Sequence, residues 1–344
     1  MKNAVKLAVT LAIGAVCLWL AFRGVSDTEA QTGIAWSAIA DEIASTSWWG
    51  YAAFVLLFLV QVVMRTERWR IQVRGLTGTK PGLRTSLALN GVGFAAVFLL
   101  PFRLGEFVRP NMGAARGIMP AAAGLANTIL ERALDGIVTT GCFGVLLFLL
   151  RDRDVPAYVR VGGWTALVIF GGALAFFVVA YRWRAFTQRT VERLLALVHG
   201  GLAKKIGEKL REFLDGLACF RKPSDLFAYL ALTVGYWFLN GMSMVALLLA
   251  MHIDVEPIAG FFCLCFLVIG VMIPAPPGNV GNFHAFARAG LAVFKVAPVA
   301  AVSYAIVLHA ATVLCIALYA AIFFVTGDVT ASAVKNAAHK DTPP

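Results

Sequence analysis

The sequence has little charge for its length. Charged residues make up 14% of the 344 residues, against about 25% in ordinary soluble proteins. Hydrophobic residues make up 60%, and many of them lie in runs long enough to cross a bilayer. This composition excludes an ordinary soluble domain and predicts an integral membrane protein.

The sequence also lacks the usual signatures of catalysis and metal binding. It contains no G-x-S-x-G elbow, P-loop, HExxH pair or complete dinucleotide-binding fingerprint. Its six cysteines lie mostly in apolar runs, with no CxxC and no Cys/His ligand spacing. We therefore expect a protein that is not an enzyme and that uses no cofactor, metal ion or disulfide.

The net charge of +11 is not accompanied by aromatics within a basic patch, as nucleic-acid binding would require. It is better explained by cytoplasmic loops and attraction to anionic lipid. The apolar stretch 4–22 is longer than a signal-peptide core, and no small-x-small cleavage site follows it. We expect this stretch to remain as a helix and expect no nucleic-acid partner.

Eight hydrophobic segments are visible along the chain. Six of them have spanning length, near residues 4–22, 48–64, 122–150, 162–181, 226–251 and 299–326. Two more, 85–100 and 257–274, run into breaks rich in proline and glycine. The fold class predicted is an all-α polytopic membrane protein with about six spanning helices and two re-entrant hairpins.

Loop charge predicts the topology. Loop 23–49 is mainly acidic and is placed outside, whereas 65–84 and 182–222 are rich in Lys and Arg and are placed in the cytoplasm. Residues 101–121 must then also be cytoplasmic. Residues 85–121 therefore start and end on one side, which is typical of a re-entrant hairpin.

The second half repeats this order with the opposite orientation. If 257–297 forms a hairpin opened from outside, each half reads span, span, hairpin, span, an inverted repeat typical of secondary transporters. The prediction is one transmembrane domain, 1–327, with halves 1–150 and 162–327. Both termini are expected in the cytoplasm, with the protein in the cell (inner) membrane.

Two other segments have distinct patterns. Within 182–222, apolar residues recur at helical spacing opposite lysines, which predicts an amphipathic helix pair on the membrane interface. A soluble linker is the alternative. The tail 328–344 is expected to be disordered.

The first charged cluster lies in "LPFRLGEFVRP". Arg103, Glu106 and Arg109 are spaced three apart and share one face of a short helix. Two guanidiniums flanking one carboxylate leave a positive excess suited to a phosphate. The alternative is an Arg–Glu–Arg pairing that only fastens the hairpin.

The second cluster lies in "NTILERALDG", within a predicted span. Charges inside a membrane are costly and usually face partners or a wet cavity. Arg132 pairing with Asp135 or Glu106 is the structural interpretation. A carboxylate, Glu131 or Asp135, that changes its protonation is the functional one.

The third cluster lies in "IPAPPGNVGNFHAFARAG". Its prolines, with Gly278 and Gly281, prevent a continuous helix, and the helix that resumes near Asn282 offers unpaired N–H groups to an anion. His284 and Arg288 follow one turn apart. We predict that this tip meets the first one along a headgroup path, although His284 alone also fits simple packing.

Three blocks resemble the membrane domain of the lysylphosphatidylglycerol synthase/flippase family. They are "RTERWR", "LPFRLGEFVRP" with "ILERALDG" behind it, and "PAPPGNVG", and the resemblance runs from about residue 1 to 327. It identifies as site residues Arg103, Glu106, Arg109, Glu131, Arg132, Asp135, Pro277, Gly278 and Gly281. The family often has Glu where His284 stands, and the C-terminal aminoacyl-transferase domain of its bifunctional members is not expected here.

The resemblance implies the flippase-like half of such proteins. We expect a lipid flippase or transporter that moves a phospholipid or other phosphate-bearing headgroup between leaflets. Anionic or phosphate-bearing membrane lipids are the expected partners, with a second copy of the chain or an envelope-lipid enzyme as further partners. The alternative is a non-catalytic membrane subunit, or an enzyme, of envelope lipid or glycolipid biosynthesis.

Overall fold

The computed structural model describes residues 2–23, 36–153, 155–196, 200–273 and 276–339; some side chains, among them those of residues 2–10, 101–103 and 200–205, are not described. These residues form fourteen α-helices, with no strand among them. The helices are α1 Lys2–Phe22, α2 Trp36–Ala44, α3 Trp48–Thr77, α4 Leu83–Leu99, α5 Val108–Ala115, α6 Ala121–Leu149, α7 Ala157–Arg182, α8 Arg184–Ala196, α9 Gly200–Gly216, α10 Pro223–Ala250, α11 Ile258–Gly270, α12 Asn282–Ala292, α13 Pro298–Val325 and α14 Ala331–His339. Short 3-10 turns cover Pro101–Phe107 and Pro277–Asn279. The all-helical class predicted from the sequence is confirmed.

Five helices of the described chain are long and apolar enough to cross a membrane. They are α3, α6, α7 (from Val159), α10 and α13. The apolar part of α1 that is described, Leu11–Phe22, is shorter, as are Leu83–Leu99 and Ile258–Gly270. The largest buried core lies where α3, α10, α11, α12 and α13 pack together.

Helix α3 continues well beyond its predicted end. The span was placed at 48–64 and the following residues in a cytoplasmic loop, but α3 runs unbroken to Thr77. Its continuation is stable because Arg68, only 1% exposed, pairs with a carboxylate on α6. Gly78, with a φ of 83°, then ends the helix in the left-handed conformation that glycine tolerates. The hydrophobic run ended at the first arginine, but the helix did not.

The segment 83–115 folds back on itself as a helical hairpin. A Cβ on Gly105 would lie 2.0 Å from the backbone N of Val97, and one on Gly93 would lie 2.9 Å from the Cβ of Arg109. Later residues of the second leg therefore contact earlier residues of α4, so the two legs are antiparallel. Proline at position 101 starts the break, because it cannot continue the hydrogen bonding of α4.

The segment 258–292 forms a second helical hairpin. Phe286 lies against Gly270, and further along Gly290 lies against Cys263, so α12 returns antiparallel to α11. Each of these legs is too short to cross a bilayer, which needs about 20 residues.

The two hairpins open at opposite ends of the bundle. Asp328, after α13, accepts hydrogen bonds from Arg84 through its carboxylate and from Arg116 through its carbonyl. The start of the first leg and the end of the second leg, which we call the bases of the first hairpin, therefore both lie at Asp328. The Thr326 hydroxyl and Arg84 hold the pKa of Asp328 below its usual value. We call this the Asp328 end. At the other end, Glu256 before α11 pairs with Arg153 after α6.

Helices α8 and α9 lie between the halves at the Asp328 end. They pack on one another, and α9 packs on α6, where Gly216 contacts Ala123. The expected disordered tail is not found for residues 331–339, which form α14. This helix docks on α5 because Asn111 donates to the carbonyl of Ala337, which is 5% exposed. Residues 340–344 lie outside the described part.

Candidate functional site

A cavity of about 200 Å³ lies inside the bundle where the two hairpin tips meet. Glu106 of the first hairpin and Asn279 of the second both line it. One part of its wall is apolar, with Phe54, Phe58 and Phe283. Its charged wall consists of Arg65, Arg68, Glu106, Arg132 and Asp135. The cavity is thus amphipathic.

Arg68 and Asp135 form a fully buried ion pair between α3 and α6. The Arg68 Nη2 lies 2.5 Å from Oδ1 of Asp135 and also donates to the Tyr229 hydroxyl at 3.0 Å. The indole Nε1 of Trp237 donates to the same carboxylate oxygen at 3.1 Å. Asp135 therefore has two donors on one oxygen, and its charge is compensated within the bundle.

Arg109 and Glu131 form a second buried pair, between α5 and α6. The Arg109 Nη2 donates to Oε2 of Glu131 at 2.7 Å and to Thr128 at 3.1 Å, while Nη1 donates to Asn90 at 2.8 Å. Arg109 is 6% exposed. Of the two sequence interpretations, this geometry favours fastening, because both terminal nitrogens are already bound.

Arg132 is the more accessible arginine of the cluster, with 36% of its side chain exposed. Its Nη2 lies 2.8 Å from Oε1 of Glu131, and longer pairs reach Glu106 at 3.8 Å and Asp135 at 3.9 Å. Both partners suggested by the sequence are therefore close to it. Its long contacts to Glu106 and Asp135 leave it able to bind a ligand in the cavity.

Arg65 lies one turn before Arg68 on α3 and has weaker pairing than its neighbours. Its nearest carboxylate is Glu131, with Nη2 3.7 Å from Oε1. Its Nε, like the Nε of Arg68 and of Arg132, has no hydrogen-bond partner among the described residues. Its guanidinium lies 4.0 Å from the centroid of the Phe94 ring. The side chain is only 12% exposed, and a polar group without a partner is costly in such a position.

An uncharged polar wall continues from Arg65 toward α10. Gln61, one turn earlier on α3, donates to the Ser243 hydroxyl at 2.9 Å and accepts from Asn240 at 2.8 Å. All three residues line the cavity. Amides and hydroxyls in such a row can bind the hydroxyl groups of a ligand.

The predicted residues at the second tip bind mostly backbone. Asn282 donates to the carbonyls of Gly270 and Ile273, which ties α12 to α11. Gly281, with a φ of 93°, packs against the carbonyl of Gly14 on α1. Gly278, with a φ of 76°, accepts from the Nε2 of His309 at 2.7 Å.

His284 and Arg288 lie on α12 but do not line the cavity. The His284 ring is buried, 4.8 Å from the His309 ring, and its Nδ1 has no partner among the described residues. Arg288 donates to the carbonyls of Leu20 and Ala21 at 2.8 and 2.7 Å and so caps α1. The side chain of Arg103 lies outside the described part of the chain.

Sequence reasoning did not select Arg65, Arg68 or Gln61 as site residues. All three line the cavity, yet the two arginines were assigned to a loop. A signal was present, because Gln61, Arg65, Arg68 and Gln72 recur at spacings of four, three and four, which places them on one face of a helix.

The described part contains no group of three or more His, Cys, Asp or Glu arranged to hold a metal.

Comparisons with known proteins bear on this arrangement. A family model described as the lysylphosphatidylglycerol synthase TM region matches residues 5–320. A protein named Glycosyltransferase AglD, from Haloferax volcanii, is 26% identical over 295 residues, covering 75% of this chain and 46% of that protein. The chain thus spans less than half the length of this relative. No solved structure matches.

Proposed function

The chain belongs to the lysylphosphatidylglycerol synthase transmembrane-region family, and from this premise we propose that it is a lipid flippase. It moves a phospholipid, or another lipid with a phosphate-bearing headgroup, between the leaflets of the cell membrane. The family and the five apolar helices make it a multi-pass membrane protein. The lipid transport activity, the cell membrane and the phosphate-bearing ligand are what we add as a proposal.

The arrangement of the hairpins supports this proposal. One has both bases at the Asp328 end, and the other begins at the Glu256 end. In our proposal both are re-entrant and are related as an inverted repeat, with α1 as the sixth span and the Asp328 end in the cytoplasm. Transporters place their substrate sites between such repeats, near the middle of the bilayer.

The observation that carries the proposal is the cavity between the two tips. Arg68 lies nine residues before the end of α3, which at 1.5 Å per residue is roughly 14 Å from the Asp328 end. This is about half of the ~30 Å hydrocarbon thickness. Arginines at such a depth are costly unless they have partners or a ligand. They can replace the water that a phosphate loses as it crosses.

The test is headgroup translocation in proteoliposomes. Labelled phosphatidylglycerol is incorporated, and its exposure in the outer leaflet is followed by quenching with an impermeant reductant. We expect Arg132→Gln to slow translocation about tenfold or more, since a hydrogen bond to a charged group contributes about 1.5–3 kcal/mol. Arg189→Gln, which removes the same charge from an exposed position on α8, serves as the control.

Rates are compared per folded protein, with folding measured by size-exclusion chromatography and thermal melting. Equal translocation rates for the wild type and for Arg132→Gln would show that the cavity is not part of the translocation path. A wild-type rate equal to that of empty liposomes, with every phosphate-bearing lipid tried, would refute the flippase proposal itself.

A second candidate is favoured by the name of the relative. A glycosyltransferase that shares this region suggests that the cavity presents a glycolipid to an enzyme of envelope-lipid synthesis. In that case the chain binds the lipid without moving it. Lipid binding by the purified protein with no translocation would support this candidate.

A further inference from the structure

Two histidines lie together behind the tip of the second hairpin. His284 of α12 and His309 of α13 have ring centroids 4.8 Å apart, with the ring planes at 65°. His284 is only 8% exposed. His309 lies eleven residues after the start of α13, which at 1.5 Å per residue is roughly 17 Å from the Glu256 end. Histidines at such a depth in transporters commonly carry protons.

The contacts of the pair show where a proton can be added. The Nε2 of His309 lies 2.7 Å from the carbonyl oxygen of Gly278. Because a carbonyl only accepts, Nε2 carries the hydrogen, and the neutral ring keeps a lone pair on Nδ1. The Nδ1 of His284 is buried and has no hydrogen-bond partner among the described residues. The pair can therefore take up a proton without losing its bond to Gly278.

Aromatic rings, not acids, lie beside the pair. The centroid of the Phe283 ring lies 4.8 Å from that of His309, and the Phe98 ring of α4 lies 6.2 Å from it. Among the described residues, the ionisable group that acts on His284 is His309 alone. A proton on the pair is therefore not neutralised by a neighbouring carboxylate of the described part.

The charged side chains on the surrounding helices belong to other contacts. Arg84 of α4 binds Asp328, Arg288 of α12 caps α1, and the arginines of α3 pair with α6, α10 or one another. The side chain of Arg103, at the first tip, lies outside the described part. Other ionisable side chains on these helices, none of them bonded to either imidazole, include Cys17 of α1, Asp41 and Glu42 of α2, Cys263 of α11, and Tyr304 and Tyr319 of α13.

The pair is directly connected to the wall of the cavity. Gly278, whose carbonyl binds His309, is the non-helical residue of the tip. The next residue, Asn279, lines the cavity, and so does Phe283, which packs beside both imidazoles. A charge on the pair therefore acts on residues that form the cavity wall. Two charges on neighbouring rings would repel one another, so the pair holds one proton at a time.

We propose that His284 and His309 form a single proton-binding site, and that proton uptake there couples a proton gradient to transport through the cavity. The proton arrives from water and forms an N–H bond with the lone pair of one imidazole nitrogen. It leaves when the same bond breaks, so nothing is oxidised or reduced. The added charge strengthens the hydrogen bond from His309 to Gly278 and so changes how firmly the tip is held.

This inference rests on the proposed function for what the proton drives, but proton binding is measured without transport. The protein is labelled with carbon-13 at the histidine Cε1 positions and titrated in nanodiscs by NMR between about pH 4 and 9. His284→Phe and His309→Gln assign the two signals. We expect both signals to titrate, with one proton taken up by the pair.

His284→Phe should also shift the titration midpoint of His309 by about half a pH unit or more, because it removes the ring that shares the proton. A pair that only packs would show no such shift. If neither histidine titrates in this range, or if His309 titrates identically with and without His284, the inference is overturned.

Coupling is measured as the leaflet distribution of a trace of labelled phosphatidylglycerol in proteoliposomes. A pH gradient of about one unit is imposed, and the membrane potential is clamped at zero with valinomycin and equal potassium. With one proton moved per lipid, this gradient changes the steady-state leaflet ratio by up to about tenfold. The direction of the change shows whether proton and lipid move together or in opposite directions.

His309→Gln is the informative variant, because its amide nitrogen can still donate to Gly278 while the side chain no longer titrates. We expect a melting temperature close to that of the wild type and a leaflet ratio that ignores the gradient. His252→Gln is the matched control, since it removes an exposed histidine that contacts Ser47 at the other side of the bundle from Asp328. It should respond to the gradient as the wild type does.

The coupling is refuted if the wild type moves lipid but its leaflet ratio ignores the gradient, or if His309→Gln still accumulates lipid. A pair that binds one proton in a protein that moves no lipid would instead refute the flippase proposal and leave the proton site standing.

Discussion

The two hairpins have the same outline but are held by different chemistry. In the first, Arg109 binds side chains on α4 and α6, including the carboxylate of Glu131. In the second, Asn282 and Arg288 bind main-chain carbonyls on α11 and α1. One hairpin is fastened by charge pairs and the other by polar contacts to the backbone.

This difference separates two contributions to the cavity. The charged residues that line it come from α3, α6 and the first hairpin. The second hairpin contributes uncharged residues, among them Asn279 and Phe283. The charge of the site therefore comes mainly from α3 and α6, with Glu106 from the first hairpin, and the second hairpin supplies a neutral part of the wall. Polar residues beside a helix break do not by themselves mark a ligand site, since a break also exposes carbonyls that need donors.

The largest effect should come from separating the charge pair that fastens the first hairpin. Glu131→Gln leaves Arg109 buried without its carboxylate at 2.7 Å, which typically costs about 3–5 kcal/mol. We expect a marked loss of unfolding free energy in detergent. The double variant with Arg109→Gln should lose less than the sum of the two single losses. Strict additivity would show that the pair is not coupled.

A smaller effect should come from the backbone of the second hairpin. At Gly281 a Cβ would lie 2.2 Å from the carbonyl oxygen of Gly14, at a φ of 93°, so Gly281→Ala combines backbone strain with a clash against α1. We expect a loss of about 1–3 kcal/mol in unfolding free energy.

Gly278→Ala is the comparison for Gly281→Ala. Gly278 has a similar φ of 76°, but its Cβ would meet only a Val280 methyl, at 3.6 Å. It should therefore show the strain without the clash. Equal losses for the two variants would mean that the approach of α1 contributes nothing to the stability of this tip.

The smallest effect should come from Arg288→Gln. It removes two hydrogen bonds and a favourable charge at the C-terminus of α1, worth about 1–2 kcal/mol. Hydrogen exchange should rise in the last turn of α1 while lipid binding stays at the wild-type level. A marked loss of lipid binding would place Arg288 on the headgroup path after all.

The sequence was sufficient for the features that depend on local composition. Hydrophobic runs located the apolar helices, and proline with glycine located the breaks near 101 and 277–281. Spacing alone brought Arg132 within reach of Asp135. These predictions depend on residues close in the chain, where helix geometry fixes distances.

The sequence was insufficient where partners are distant in the chain. Nothing near Arg68 indicates that Asp135, 67 residues away, holds it inside the bundle. The arginines from Arg65 onward were therefore interpreted as the end of a membrane span. For the same reason Arg288 was expected at a headgroup, since its acceptors on α1 are 268 and 267 residues away. The docking of α14 depends likewise on Asn111, far earlier in the chain.

The contacts of Asp328 have a mechanical consequence for the first hairpin. One residue binds Arg84 at the start of the first leg and Arg116 just after the second. Arg109, near the tip, binds Glu131 and Thr128 on α6, so the same hairpin is also held inside the bundle. Sliding it along the bundle axis like a piston would therefore break contacts at both places at once.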